Sequence, residues 1–207
     1  MTEKGKMFKG LIYNPFNEGM PEERQKAHEL CQKYNATPEH DTETRNAILK
    51  ELMPDNGEGV YLQGPIQFDF GTHIKMGNNS YANFNFVVLD ENTVTIGDNV
   101  FIGPNCSIYT PIHPLCHEDR NAFYDEENNY SAYEYSAPVV IGDNCWLGGN
   151  VTILPGVTIG EGCVIGAGSV VTKNIPPHCL AFGNPCKPAR EITEKDRLSN
   201  KPELFEK

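Results

Sequence analysis

The chain has 207 residues, 19 of them glycine and 15 proline, and a net charge of −11. A balance this acidic argues against nonspecific binding to nucleic acid or to an anionic membrane surface, and no run approaches the ~18 apolar residues of a membrane-spanning helix. The seven cysteines are an odd number without a CxxC pair, which is typical of a reduced cytoplasmic protein rather than a disulfide framework. The first ten residues, MTEKGKMFKG, are too charged for a signal peptide.

The N-terminal segment, residues 1–57, is predicted to form a helical cap. A first helix is expected from Pro21, where two acidic residues follow, to the residue before Pro38. A second is expected from residue 41 or 42 up to Pro54. Apolar residues at helical spacing give each helix one buried face: Ala27, Leu30, Cys31 and Tyr34 in the first, and Ile48, Leu49, Leu52 and Met53 in the second.

A six-residue repeat begins after this cap. Residues 58–95 are β-like but irregular, and we interpret them as one or two degenerate coils. Regular units then start at Ile96, Ile102 and Ile108, in the run IGDNVF, IGPNCS, IY. Small residues such as Cys106, at the fifth place of a unit, are expected to fill the interior.

Residues 141–172 repeat the unit without a slip. Its fifth residues are small, and its leading residues are all aliphatic: Ile141, Leu147, Ile153, Ile159, Ile165 and Val171. A period of six is neither the 2 of a strand nor the 3.6 of a helix. It predicts one short strand and one turn per unit, with three units closing a triangular coil of about 18 residues. Stacked coils then pair in parallel at roughly 4.8 Å. The alternative is an antiparallel β domain with many glycine turns.

The repeat is interrupted between Ile108 and Ile141, which are 33 residues apart, not a multiple of six. An insertion is therefore expected to leave the coil at about residues 110–137. A loop of this length in a compact domain is usually functional. Burying its rings would need another surface, such as a neighbouring subunit; the aromatic residues are Phe123, Tyr124, Tyr130, Tyr133 and Tyr135.

A basic stretch closes the coil region. Residues 162–190 contain no Asp or Glu but do contain Lys173, Lys187 and Arg190. A local charge of +3 in a chain of −11 suits a small polyanionic ligand, such as a phosphate-bearing cofactor. Scattered, solvated charge is the alternative. Residues 191–207 follow as a charged tail, with a short helix expected from Thr193.

His113 lies where the regular coil gives way to the loop, in YTPIHPLCH. A neutral imidazole at a coil edge can act as a general base. Three other histidines compete for this role: His73, His117 and His178. Cys116 beside His117 would suggest a thiol nucleophile only if adjacent side chains pointed the same way, and they do not in an extended loop. A zinc site would need a third ligand, so no metal is expected.

The run SYANFN at residues 80–85 is a second candidate. Asn83 and Asn85 stand at alternate positions and would point the same way from a strand. Their amides could hold a sugar hydroxyl or orient a catalytic group. The alternative is asparagine in a ladder or at a turn.

With these residues in view, the chain resembles the hexapeptide-repeat acyltransferases, and within them the maltose and galactoside O-acetyltransferases. The resemblance runs from PEERQKAHELCQKYN through SYANFN and VTIGDNVFIGPNCSIYTPIHPL to FGNPCKPAREI. It implies a mainly β fold, a left-handed parallel β-helix of hexapeptide repeats. The helical cap would take residues 1–57, the β-helix residues 58–190 with a loop extruded at 110–137, and a C-terminal tail residues 191–207. It also implies a homotrimer with acetyl-CoA sites between the coils of adjacent subunits.

The resemblance assigns roles to individual residues. His113 matches the catalytic base, and Asn83 is the second catalytic candidate. Acceptor-binding positions are matched by Tyr81, Asp69, Asn83 and Glu134. Positions that contact CoA are matched by Trp146, Gly149, Ala167, Thr172, Lys173, Lys187 and Arg190. By the same analogy, the backbone N–H of Gly149 would serve the oxyanion.

Two departures concern the acceptor. The loop from Pro114 to Pro138 is several residues longer than in the galactoside enzyme, and the acidic sugar ligand near that enzyme's N-terminus has no clear match. Asn14, Asn17 and Glu18 are weak candidates for it.

From the resemblance as a whole, we expect an acetyl-CoA-dependent O-acetyltransferase for a sugar hydroxyl. The alternatives are an antibiotic O-acetyltransferase, a metal-dependent hydratase and a β-helix scaffold without activity.

Overall fold

The computed structural model describes residues 1–205 and forms a left-handed parallel β-helix capped by N-terminal helices. The first helix, α1, was not separately expected, whereas α2 and α3 match the two predicted ones. The helices are α1 Glu3–Phe8, α2 Met20–Ala36, α3 Thr42–Leu52 and the short α4 His117–Arg120. The chain from Thr193 onward holds 3-10 turns at Glu194–Asp196, Leu198–Asn200 and Pro202–Leu204.

The strands are short and follow one another around the coil. In chain order they are β1 Tyr61–Leu62, β2 Ile66–Phe68, β3 Ile74–Met76, β4 Tyr81–Ala82, β5 Phe86–Leu89, β6 Val94–Ile96, β7 Phe101–Ile102, β8 Ser107–Tyr109, β9 Pro111–Ile112, β10 Phe123–Tyr124, β11 Tyr130–Ser131, β12 Tyr135–Ser136, β13 Val139–Ile141, β14 Trp146–Leu147, β15 Thr152–Ile153, β16 Thr158–Ile159, β17 Val164–Ile165, β18 Val170–Val171, β19 Cys179–Gly183 and β20 Cys186–Glu191. Three faces result, with strand orders β1-β4-β7-β14-β17-β19-β20, β2-β5-β8-β15-β18 and β3-β6-β13-β16.

The register confirms the six-residue repeat. Trp146 pairs with Val164, so a regular coil takes 18 residues. The irregular segment forms two longer coils, because Tyr61 pairs with Tyr81 and Tyr81 with Phe101, 20 residues apart each time. Every leading aliphatic of the repeat is buried in one continuous core, together with Cys106, Cys145 and Cys163. The interior is thus filled by the residues that the repeat predicts.

The coil corners need a left-handed backbone conformation, which residues other than glycine and asparagine rarely adopt. Asn99, Asn105, Asn144 and Asn150 all have φ between 54° and 59°, in the left-handed region that asparagine tolerates. At Gly97 the need is for space: a Cβ there would lie 2.2 Å from Oδ1 of Asp143 and 2.7 Å from its backbone N. The corner residues therefore permit the close stacking of coils.

The cap packs on the first coil through α2 and α3. Tyr34 and Leu30 join the coil core. Arg45 is 4% exposed and lies with its guanidinium 4.4 Å from the Tyr34 ring centre. Its Nη2 donates to the carbonyls of Leu62 at 2.7 Å and Gln63 at 3.0 Å, and to the Tyr34 hydroxyl at 2.8 Å. One buried cation therefore fastens α3 to the first coil.

Replacing Arg45 by methionine is expected to lower the free energy of unfolding by about 2–4 kcal/mol, because the Gln63 carbonyl and the Tyr34 hydroxyl lose a charged donor, while the Leu62 carbonyl keeps only the Tyr34 hydroxyl. Urea denaturation measures this change. The matched control is Lys26→Met, since Lys26 forms only an exposed ion pair with Glu51, which is worth about 0–1 kcal/mol. Equal effects of the two substitutions would contradict the role given to Arg45.

The extruded loop closes at its neck. Strands β9 and β12 pair antiparallel, and the backbone N of Ala137 donates to Thr110 O at 2.9 Å. Part of the loop's aromatic surface is covered within the chain, since the Phe16 and Tyr130 rings lie 4.9 Å apart. For Tyr130, the chain itself supplies part of the expected second surface, in the segment before α2, and the ring stays 51% exposed. Tyr124 stays 67% exposed.

No helix within residues 1–205 has the length and hydropathy to cross a lipid bilayer.

Candidate active site

His113 stands directly after β9, and the pairing of β9 with β12 brings Glu134 opposite it. Ile112 pairs with Tyr135, so the next positions outward on the two strands are His113 and Glu134. Nε2 of His113 lies 3.4 Å from Oε1 of Glu134. The imidazole is 63% exposed, while the carboxylate is only 9% exposed. An accessible ring is thus backed by a buried acid, which can orient the imidazole through Nε2.

Tyr13 completes the array from the other side. Its hydroxyl donates to Oε2 of Glu134 at 2.5 Å, and the two residues exchange backbone hydrogen bonds at 2.9 and 3.1 Å. Burial raises the pKa of the Glu134 carboxyl, while the Tyr13 hydrogen bond and the nearby His113 act to lower it. Burial also raises the pKa of the Tyr13 phenol, which therefore stays a donor at neutral pH. The orientation of Glu134 is consequently fixed by a residue far away in sequence.

Two further acids lie beside this array. Glu91 is buried, and desolvation together with Asp69 raises the pKa of its carboxyl far above the usual range. Its Oε2 has no hydrogen-bond partner among residues 1–205. The negative charge of Glu134 also raises the pKa of Glu91, so Asp69, Glu91 and Glu134 lie close enough together to interact. Of the two further acids, Asp69 is half-buried and can bind a ligand hydroxyl, as donor when protonated and as acceptor when ionised.

Asp69 also borders a cleft of about 240 Å³ between α2 and the β2-β5 face. Nε2 of His28 lies 3.2 Å from Oδ1 of Asp69 at its edge. The guanidinium of Arg24 stacks 5.5 Å from the Phe70 ring centre, and its charge lowers the pKa of Glu134. The acceptor position predicted for Asp69 therefore lies on the same side of the coil as the His113 array.

Tyr81 and Asn83 lie in a different cleft. It has a volume of about 420 Å³ and is lined by Tyr81, Asn83, Phe101, Ile102, Gly103 and Trp146. Oδ1 of Asn83 accepts from the Phe84 backbone N at 2.7 Å, which leaves its NH₂ group toward ligands. Within this chain the predicted site residues thus form two groups, His113 with Glu134 and Asn83 with Trp146.

The interpretation that Asn83 and Asn85 share a strand face is wrong. Strand β4 ends at Ala82, and Asn85 occupies a coil corner with φ 59°. Nδ2 of Asn85 donates to Oδ1 of Asn105 at 2.8 Å, one coil further on. Asn85 therefore belongs to an asparagine ladder, and only Asn83 remains a site candidate.

The competing histidines have other surroundings. His73 is half-buried between Phe8 and Phe70, and burial lowers its pKa. His117 pairs with the exposed Glu118 at 3.2 Å, and His178 with the exposed Glu161 at 3.3 Å. Among these four histidines, only His113 is exposed and backed by a buried carboxylate.

The predicted cofactor residues come from the last coils and the C-terminal hairpin. Ala167, Thr172, Lys173 and Lys187 are exposed, and Trp146 is 56% exposed. The Gly149 backbone N–H makes no hydrogen bond within the part of the chain that the structure describes. Arg190 is not a free cation, because it forms an ion pair with Asp196 at 2.7 Å. The basic patch is therefore weaker in charge than the sequence of residues 162–190 implies.

Sequence reasoning missed Tyr13, Glu91 and Arg24. Tyr13 and Arg24 precede the repeat and reach the site only through tertiary packing. The one available signal for Glu91 was the acidic pair Asp90-Glu91 between two apolar strands, where charge is rare unless it serves a purpose.

In residues 1–205, no group of three or more His, Cys, Asp or Glu side chains is arranged to hold a metal ion.

Three family models match the chain: the maltose acetyltransferase hexapeptide capping motif at residues 6–57, the hexapeptide repeat of succinyl-transferase at 93–113, and the bacterial transferase hexapeptide at 138–173. A galactoside O-acetyltransferase of Escherichia coli (strain K12) is 41% identical, covering 95% of this chain and 92% of its own. A structure of galactoside acetyltransferase with coenzyme A has a TM-score of 0.86 at 40% identity, covering 95% and 94%. A maltose O-acetyltransferase structure from Clostridium difficile 630 has a TM-score of 0.86 at 43% identity, covering 94% and 99%.

Proposed function

The chain belongs to the maltose and galactoside branch of the hexapeptide-repeat O-acetyltransferases and uses acetyl-CoA as co-substrate, and we propose that its acceptor is a hydroxyl group of a sugar. The observation that supports this proposal most is the array His113–Glu134–Tyr13 with Glu91 and Asp69 beside it. A base stands beside these carboxyl groups, and Asp69 borders the adjoining cleft, where its carboxyl group can bind a ligand hydroxyl. The sugars in the relatives' names, galactoside and maltose, point the same way.

The proposed reaction is a direct transfer within a ternary complex. His113 takes the proton of the acceptor hydroxyl through Nδ1 as the oxygen attacks the thioester carbonyl. The new C–O bond forms, the C–S bond breaks, and the proton passes from His113 to the sulfur of coenzyme A. General-base assistance of this kind is worth about 10²- to 10⁴-fold in rate, and holding both substrates in place adds a further large share.

Glu134 and Gly149 support the charges that develop. The Glu134 carboxylate stabilises the imidazolium of His113 and is itself held by Tyr13. The backbone N–H of Gly149, which has no partner among residues 1–205, is the proposed donor to the tetrahedral oxyanion. Gly103 adjoins it, since a Cβ there would lie 2.6 Å from the Gly149 nitrogen. A side chain at Gly103 would cover this amide.

The complete site is proposed to form between two subunits of a homotrimer. Separation of His113 from Asn83 into two groups supports this arrangement. So does an aromatic column on successive coils of one face, formed by Tyr61, Tyr81, Phe101 and Trp146, all exposed except the half-buried Tyr81. The coils at 58–190, the cap at 1–57 and the tail at 191–207 are the proposed units. The unpaired cysteines support a reducing compartment such as the cytoplasm.

A thiol-release assay with acetyl-CoA over a panel of glucosyl, galactosyl and maltosyl acceptors tests the sugar proposal. We expect coenzyme A release that depends on one class of sugar, with a sugar product heavier by one acetyl group in mass spectrometry. Release with hydroxyl-bearing antibiotics but with none of the sugars would replace the sugar acceptor by the alternative. Release with neither group would remove the proposed acceptor class altogether.

Replacing Lys173 by glutamate is expected to raise KM for acetyl-CoA by about tenfold or more, because a charge-assisted contact to a phosphate becomes a repulsion. KM for the acceptor should change little. Lys50→Glu is the control: it makes the same change of charge on α3. Equal increases in both KM values for Lys173→Glu would count against the basic patch as the cofactor site.

A further inference from the structure

Arg190 is held at one edge of its guanidinium. Nη1 and Nη2 donate to the two carboxylate oxygens of Asp196, at 2.8 and 2.7 Å. Nη1 also donates to the carbonyl of Glu191 at 2.9 Å. This bidentate geometry uses both hydrogens of Nη1 and one of Nη2.

The opposite edge of the same guanidinium is left open. Nε makes no hydrogen bond to any of residues 1–205. Nη2 keeps its second hydrogen, which lies on the same side as Nε–H. Two parallel N–H groups on a planar fork match two oxygens of a phosphate. Arg190 therefore presents a ready two-donor edge, even though it is already paired.

Asp196 is itself fixed by the turn that follows β20. The backbone N of Thr193 donates to Oδ2 of Asp196 at 2.9 Å, and the Thr193 side chain closes a capping box on the 3-10 turn Glu194–Asp196. Arg190 and this turn hold the pKa of Asp196 well below its usual range, so it is ionised at neutral pH. The tail thus holds a carboxylate in a fixed position beside Arg190, a candidate cofactor-binding residue.

The sign of this charge is unexpected for a site that binds an anion. A carboxylate near a phosphate repels it at long range, so the negative charge of Asp196 by itself weakens the binding of an anionic ligand. Its benefit would have to be orientation, because an ordered arginine loses less side-chain entropy when the ligand binds. The two effects predict opposite outcomes when the charge is removed.

We propose that Asp196 is a positioning residue that locks Arg190 so that its Nε–Nη2 edge receives a phosphate group of acetyl-CoA. The inference rests on the proposed cofactor role of Arg190. The short tail turn then takes part in cofactor binding without touching the cofactor, and shortening the chain before Asp196 would loosen Arg190.

The test compares Asp196→Asn with Glu194→Gln. Both variants replace an acid by its amide and so remove one negative charge. Glu194 lies in the same turn as Asp196 but pairs with Arg197, not with Arg190. We expect KM for acetyl-CoA to rise about three- to tenfold in Asp196→Asn, with kcat and the acceptor KM unchanged, since one side chain must be ordered anew. Glu194→Gln should leave KM for acetyl-CoA unchanged or slightly lower, and Asp196→Glu should recover part of the loss. A KM that is unchanged or lower in Asp196→Asn would overturn the proposal.

Two further arms separate the possible failures. With acetyl-dephospho-CoA, the penalty of Asp196→Asn disappears if Arg190 holds the 3′-phosphate and persists if it holds the diphosphate; either result agrees with the proposal. Arg190→Ala is measured in parallel. If Arg190→Ala leaves KM for acetyl-CoA unchanged, the cofactor role of Arg190 fails. If it raises KM but Asp196→Asn does not, only the positioning role of Asp196 fails.

Discussion

Replacing His113 by alanine is expected to lower kcat by about 10²- to 10⁴-fold, because the acceptor hydroxyl loses its general base. Binding of acetyl-CoA should be retained, since the residues proposed to hold the cofactor are others, such as Trp146 and Lys173. Steady-state thiol release gives kcat, and calorimetric titration with coenzyme A gives the retained affinity. The loss should therefore fall on the chemical step.

The control for this variant is His117→Ala. His117 lies in the same loop, is exposed to a similar degree and also contacts a glutamate. It lacks the buried carboxylate, so its replacement should change kcat less than twofold. Near-wild-type turnover of His113→Ala would remove this residue from the mechanism.

Replacing Glu134 by glutamine is expected to lower kcat by about 10- to 100-fold, because the imidazolium that forms on His113 loses an opposite charge 3.4 Å away. Glutamine keeps the size of the side chain but cannot stabilise the imidazolium of His113. It also turns an acceptor for the Tyr13 hydroxyl into an amide. KM for acetyl-CoA should stay the same, and thiol release measures both constants.

A second glutamate–histidine pair in the chain provides the control. Glu161 lies 3.3 Å from Nε2 of His178, but both side chains are exposed and lie away from the site. Glu161→Gln should therefore leave kcat unaffected. Equal kcat values for Glu134→Gln and the wild type would reduce Glu134 to a structural residue of the loop neck.

The β-helix could be predicted from the sequence because one interaction decides it. Each leading aliphatic, from Ile141 to Val171, contributes a side chain to the same core, and the spacing of six sets the coil. The break at Ile108 located the insertion for the same reason. A repeating local rule leaves its mark on the sequence even without relatives for comparison.

The arrangement of the site could be predicted only in part. His113 was recognisable from its place at the coil edge, but its partner Glu134 reaches it only through the pairing of β9 with β12 across the loop. Tyr13 lies 121 positions from Glu134, and no local pattern predicts their hydrogen bond. The basic patch was visible, whereas the ion pair of Arg190 with Asp196 depends on a turn just outside it. Contacts between distant segments are set by tertiary packing, which local periodicity does not encode.

The claim on which the mechanism depends most is that one site combines His113 of one subunit with Asn83 of the next. It can be tested by unfolding and refolding a mixture of two variants, His113→Ala and Asn83→Ala, each of which is expected to be nearly inactive alone. Random assembly into trimers should place an intact His113 beside an intact Asn83 in roughly a quarter of the sites.

Thiol release by the refolded mixture is the decisive measurement. We predict roughly a quarter of the activity of wild-type protein refolded in the same way, because complete sites form across subunit boundaries. Activity no greater than the average of the two variants refolded separately would contradict the account, since it would mean that each site takes both residues from the same chain.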